Sequence, residues 1–132
     1  TVDAGEYTVG ISLLDPEPIW RWRGGKPTPA ATPEGADRHV DVIVLDRHSG
    51  RMVTGAKLTL ILHPSGGQGD PISMPLHPLL GRFFHYGATV AWPGHHDRVD
   101  LKIDRPSFAT TDGQRFARAH SFTLPQASSG AP

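Results

Sequence analysis

The chain has 132 residues, and its 13 basic and 13 acidic side chains give a formal net charge of zero. Nucleic acids and anionic membranes bind proteins that carry an excess of positive charge. This chain has no such excess, so neither is expected as a main partner. The sequence contains no cysteine, which excludes disulfide scaffolds, zinc ribbons and thiol catalysis.

Short alternating segments separated by glycine- and proline-rich turns run along the chain, a pattern typical of β-strands. Strands are predicted at residues 7–14, 39–46, 56–63, 72–76, 88–92, 98–104 and 116–124, with a long loop at residues 16–38. About seven strands without a helical pattern predict one all-β domain over residues 1–124, an immunoglobulin-like antiparallel sandwich. A flexible tail is predicted at residues 125–132.

His39 and Asp41 are the sharpest local feature of the chain. They lie two residues apart in the strand predicted at residues 39–46, so their side chains point to the same face. An imidazole and a carboxylate about 6–7 Å apart at the backbone can bind one metal ion. The alternative is a solvated strand face with a surface hydrogen bond.

Further donor side chains follow along the chain. His85 is either a half-buried histidine that donates to a carbonyl or a neutral metal ligand whose other nitrogen is held by a second partner. Met74 supplies a thioether, a ligand that favours copper, although core packing explains this residue equally well. His77 supplies another imidazole. His120 alternates with apolar residues of the last predicted strand, so its side chain is expected to face inward. It either completes a metal site or is a buried histidine with its own hydrogen-bond partner.

Two motifs carry a family resemblance. The segment His85-Tyr86-Gly87-Ala88-Thr89-Val90, followed by Pro93-Gly94, resembles a motif of the bacterial periplasmic accessory proteins of high-affinity iron uptake. The segment Asp37-Arg38-His39-Val40-Asp41-Val42-Ile43 resembles a second, in which an acidic residue precedes His-x-Glu. The resemblance covers residues 36–118. It implies an immunoglobulin-like sandwich that binds copper or another divalent metal, commonly as a homodimer, and that works with a membrane iron permease.

The resemblance also implies a ligand set, in which His39, Asp41 and His85 bind the metal. Asp41 stands where the family has glutamate. The family's methionine ligand falls at Pro78, so His77 is the nearest candidate to replace it, with Met74 and His120 as weaker candidates. The expected cofactor is a divalent metal ion, copper first and iron or zinc as alternatives.

Two other functions stay open from the residues alone. His-x-Asp with a distal histidine is also the facial triad of non-heme iron oxygenases, so a small metal enzyme is one alternative. A non-metal protein-interaction module that uses Trp20 and Trp22 is the other. The resemblance implies a periplasmic or extracytoplasmic protein in mature form without its leader, and a cytoplasmic location is the alternative.

Overall fold

The computed structural model describes residues 1–64, 66, 69–92, 96–124 and 128–129. Within that part of the chain every regular element is a β-strand except for a single 3₁₀ position at Gly66. None of it forms a helix long and apolar enough to cross a membrane. The prediction of an all-β, antiparallel sandwich is confirmed, because nine strands form one nearly closed sheet around a single core, as in a sandwich or barrel-like fold.

The described residues form eleven strands, more than the sequence pattern predicted. They are β1 (Val2–Ala4), β2 (Tyr7–Leu14), β3 (Trp20–Arg23), β4 (Lys26–Pro29), β5 (Arg38–Asp46), β6 (Leu58–Pro64), β7 (Ile72–Leu80), β8 (Phe84–Val90), β9 (His96–Ile103), β10 (His120–Thr123) and β11 (Ser128–Ser129).

β7 joins two parts of the nine-stranded sheet. One part has the order β1-β2-β5-β8-β7, and the other has the order β7-β6-β9-β10. Residues 72–76 of β7 pair with β6, whereas residues 77–80 pair with β8, so this strand passes from one part to the other. The predicted strand stops at residue 76, the point at which the pairing changes. Pro75 and Pro78 cannot donate ladder hydrogen bonds, which is why the sequence pattern weakens there.

The core is built by alternating residues of the facing strands. Val40, Val42 and Val44 of β5 are at most 2% exposed, and Leu58, Leu60 and Leu62 of β6 are at most 1% exposed. Each such side chain contributes roughly 1.5–3 kcal/mol when it is fully buried. The remaining side chains of β5, which include His39 and Asp41, therefore face away from this core.

The loop predicted at residues 16–38 contains a hairpin that the sequence analysis missed. β3 and β4 pair only with each other, and Gly24 and Gly25 join them with φ angles of 56° and 74°. Two successive positive φ values are what a two-residue hairpin turn of type I′ requires. Pro27 and Pro29 argued against a strand, yet an isolated hairpin has a free edge that tolerates proline.

The C-terminal part also differs from the prediction. The strand predicted at residues 116–124 is confined to β10, and Phe116, where it was predicted to begin, has a φ of 59°, a left-handed conformation that no strand allows. Of the tail predicted to be flexible, the structure describes Ser128–Ser129, which pair in parallel with β2. Residues 125–127 and 130–132 lie outside the described part of the chain.

Candidate metal centre

Two neighbouring strands bring three donor side chains together. β5 carries His39 and Asp41, and β8 carries His85. In the antiparallel register Asp41 lies opposite Gly87, so His85, two residues from Gly87, belongs to the same face as Asp41. These three residues are 4%, 7% and 8% exposed although they lie on the face away from the core. They form a buried cluster of potential metal ligands.

The three donor atoms lie at mutual distances that suit one ion. Asp41 Oδ1 is 3.0 Å from His39 Nε2 and 3.1 Å from His85 Nε2, and the two nitrogens are 3.4 Å apart. Ligands about 2.0–2.1 Å from one ion stand about 2.9–3.4 Å from each other in tetrahedral or octahedral geometry. The cluster could therefore hold a metal ion without rearrangement of its strands.

Asp41 Oδ1 lacks the hydrogen bonds that a buried carboxylate oxygen needs. It is enclosed and receives no hydrogen bond from any described residue, despite the two nearby imidazoles. Leaving a buried polar atom unsatisfied costs roughly 1–3 kcal/mol, and more when the group is charged. A cation between the three donor atoms would satisfy this oxygen, so the residues present fit a metal ion.

The outer nitrogen of each imidazole has its own partner. His85 Nδ1 lies 3.2 Å from the carbonyl oxygen of Phe83, and because a carbonyl only accepts, this nitrogen carries the proton. His39 Nδ1 lies 2.9 Å from the Thr89 hydroxyl. The Phe83 carbonyl therefore leaves His85 Nε2 available to a metal ion, whereas the Thr89 hydroxyl can accept from or donate to His39 Nδ1 and holds the ring in either tautomer.

Gly87 provides the space that the cluster occupies. A Cβ at this position would lie 2.8 Å from the Val40 carbonyl oxygen, 2.9 Å from His39 Nε2 and 3.1 Å from His85 Cδ2. Real side chains do not approach so closely, so only glycine fits here. The adjacent Tyr86 faces the core instead, where its hydroxyl donates to the Val53 carbonyl at 2.7 Å.

The other predicted ligands lie outside this cluster. His77 is opposite Gly87 on β7, is exposed, and lines a cavity with Gly87 and Thr89. Met74 is 8% exposed within the hydrophobic core, opposite Leu60, because its parity on β7 directs it inward. Its side chain is a core residue and lies on the wrong face for the cluster.

His120 lies in another part of the sandwich. Its ring packs edge-on against Tyr7, with centroids 5.5 Å apart, and against the backbone of Gly5. It therefore has a packing partner and does not join the cluster. Trp20 and Trp22 are 60% and 76% exposed and border a cavity with His39 and His85. The hairpin thus stands beside the candidate metal centre.

The sequence analysis missed the supporting residues of this centre. Thr89 alternates with His85 and Gly87 on one strand, a signal that was available, but its pairing with His39 required the register of β5 and β8. No protein-family model matches the chain, and no curated protein matches it.

Proposed function

We propose that this protein binds one divalent transition-metal ion through His39, Asp41 and His85, as an accessory protein of metal uptake. The observation that carries the proposal is the unsatisfied oxygen Oδ1 of Asp41, which lies about equally far from two imidazole nitrogens. An unsatisfied buried carboxylate is destabilising, and a bound cation would remove that cost.

The donor atoms favour particular metals. Two imidazole nitrogens and one carboxylate oxygen suit copper(II), zinc and iron(II), and among divalent ions the order of affinity places copper(II) first. The thioether of Met74 lies in the core, so the cluster has no sulfur donor that would favour copper(I). Copper(II) is the metal we propose first, with iron(II) and zinc as the alternatives.

The resemblance of the His85-Tyr86-Gly87 and His39-Val40-Asp41 segments to iron-uptake accessory proteins supports the cellular setting of the proposal. In that setting the protein is periplasmic, forms a homodimer and holds metal for a membrane iron permease. Cell fractionation and the mass of the native protein in solution test the first two parts. Copurification of a permease with the tagged protein tests the third.

Metal binding is tested by titration of untagged protein with copper(II) and zinc, with element analysis of the dialysed complex. The wild-type chain is expected to bind one equivalent. Asp41→Asn retains the shape of the side chain but removes its charge, so it should weaken binding by more than the roughly 10–100-fold that loss of a supporting group costs. Asp100→Asn is the matched control, since Asp100 also contacts an imidazole, His63, at 2.8 Å.

The results of these titrations distinguish metal binding at the His39, Asp41 and His85 cluster from binding at His63. Equal binding by the wild type and Asp100→Asn, with loss in Asp41→Asn, supports the site. Loss in Asp100→Asn with retention in Asp41→Asn places the metal at His63 and contradicts it. A wild-type chain that binds neither ion at micromolar concentration would overturn the proposed function.

Oxygen chemistry at the same cluster is the second candidate. Two histidines and one carboxylate match the facial triad of non-heme iron(II) enzymes, and His85 lines two cavities that border the cluster. This function requires coordination positions that stay open to oxygen and substrate. Oxygen consumption by the iron(II)-loaded protein, absent in Asp41→Asn, is the result that would favour it.

A further inference from the structure

We infer that Glu17, on the segment between β2 and β3, is a fourth ligand that closes the metal centre. The inference rests on the proposed metal site and defines its complete donor set. Glu17 is exposed, and its carboxylate is not among the three clustered donors, so binding requires rotation of its side chain onto the ion.

The path of the chain brings Glu17 to the cluster. Leu14, the last residue of β2, lies opposite His39 on β5. Glu17 follows only three residues later, and three residues span at most about 10 Å. The segment that leaves β2 therefore begins beside His39, and Glu17 and His39 line one cavity.

Glu17 lines three cavities that are also lined by residues of the cluster or its neighbours. It lines a cavity with Asp41 and His85, a second cavity with His39 and His85, and a third with Gly87 and Thr89. Among the described residues, it alone lines all three of these cavities. Glu17 therefore lies beside each of these cavities, two of which are lined by the ligand His85.

The carboxylate of Glu17 is also free to bind. It makes no hydrogen bond or ion pair with another described residue, although Arg21 lines two of the same cavities. Pro16 and Pro18 flank it, which fixes φ at both neighbours and restricts Glu17 to extended backbone. The segment is therefore stiff, so ordering it around an ion costs little backbone entropy.

Charge balance supplies the driving force. A divalent ion held by two neutral imidazoles and Asp41 alone retains one positive charge in a buried site. Burying an unbalanced charge is costly, and a second carboxylate removes the imbalance. The completed set of two imidazoles and two carboxylates is neutral with a divalent ion and carries a surplus negative charge with copper(I). It should therefore select divalent ions over monovalent copper.

The test compares Glu17→Gln with Asp15→Asn, which removes a charge from the same segment at a residue that lines none of the three cavities. Zinc and copper(II) affinities are measured by competition titration, and the cobalt(II) complex is measured by visible absorption. Glu17→Gln should weaken binding by at least the roughly 10–100-fold that loss of a supporting group costs, with one equivalent still bound by the other three ligands. It should also change the cobalt(II) spectrum, whereas Asp15→Asn should match the wild type in both.

Each result decides one question. If Asp41→Asn abolishes binding while Glu17→Gln matches Asp15→Asn in affinity and spectrum, the fourth ligand is wrong and the proposed function stands. If the wild type binds no divalent ion, the proposed function itself fails. If Glu17→Gln and Asp15→Asn weaken binding equally without a spectral change, the segment acts only through its general charge, which also contradicts coordination by Glu17.

Discussion

Gly87 lies directly opposite Asp41 in the β5–β8 pair, and the missing side chain at residue 87 is what leaves room for the His39 imidazole. The contact is between adjacent strands of one sheet, where opposite residues on the same face normally touch through their side chains. Here a glycine replaces one partner, and the imidazoles of His39 and His85 fill the vacated space. The relationship explains why the cluster is buried on the face away from the core.

Substitution of Gly87 should disrupt the cluster. In Gly87→Ala the new Cβ meets the Val40 carbonyl, which belongs to the backbone and cannot rotate away, and the His39 ring. We expect the free energy of unfolding to fall by about 1–3 kcal/mol, the usual cost of overpacking. Metal affinity should fall as well, because His39 must move.

Gly113→Ala is the control for this substitution, since nothing lies within 4 Å of a Cβ built there. Urea denaturation and metal titration of both variants provide the comparison. Unchanged metal affinity in Gly87→Ala would show that His39 does not depend on this space.

Thr89 should matter for metal affinity more than for stability. Thr89→Val keeps the shape of the side chain but removes the hydroxyl that holds His39 Nδ1 at 2.9 Å. Loss of such a supporting hydrogen bond should weaken metal binding by about 10–100-fold. Thr59→Val is the control, because Thr59 also lies in a strand and makes no side-chain hydrogen bond with the described residues. Calorimetric titration with zinc measures both variants, and equal affinities would contradict the assigned role.

The two buried tyrosines should respond oppositely to loss of their hydroxyls. The Tyr86 hydroxyl donates to the Val53 carbonyl and accepts from the Ala56 amide, so Tyr86→Phe leaves two backbone groups unsatisfied and should cost roughly 1–3 kcal/mol. The Tyr7 hydroxyl is buried without a partner among the described residues, so Tyr7→Phe should be neutral or stabilising. Denaturant unfolding measures both, and a larger loss in Tyr7→Phe would contradict these assignments. Neither variant should change metal stoichiometry, since both side chains lie in the core.

Asp46 should make stability depend on pH in the acid range. The Arg115 guanidinium donates to Asp46, and with bonds from Ser49 and His48 it holds the pKa of this carboxyl well below its usual range. A lowered pKa in the folded state means that the stabilisation is present above about pH 4, the unfolded value, and is lost as pH falls toward the folded value.

The Asp46→Asn variant should therefore be less stable than the wild type at pH 7, and the difference should shrink by pH 3. Asp70→Asn, at an exposed carboxyl, is the control and should show no such pH-dependent difference. Urea unfolding at the two pH values measures the change. A difference between wild type and Asp46→Asn that grows on acidification would contradict the assigned ion pair.

The core strands of the sandwich were predictable because period-2 alternation in residues 39–46, 56–63 and 98–104 matches the pleat of a half-buried strand. The β3–β4 hairpin was missed because residues 16–38 were predicted as one long loop, and prolines such as those of β4 are unusual in strands. The full length of β7 was missed because its pairing changes from one neighbour to another midway. Both errors arise from tertiary contacts, because these decide whether a proline lies at a free strand edge or within a hydrogen-bonded ladder.

The sequence by itself determined that His39 and Asp41 share one face of a strand, because residues two apart in a strand always do. It also offered His77 and His120 as candidate ligands, which the structure places outside the cluster. Only the tertiary structure decided that His85 joins the pair, that Met74 enters the core, and that Glu17 borders the cluster. Strand register and sheet assignment place residues about 46 positions apart within contact distance, and local periodicity carries no information about such pairings.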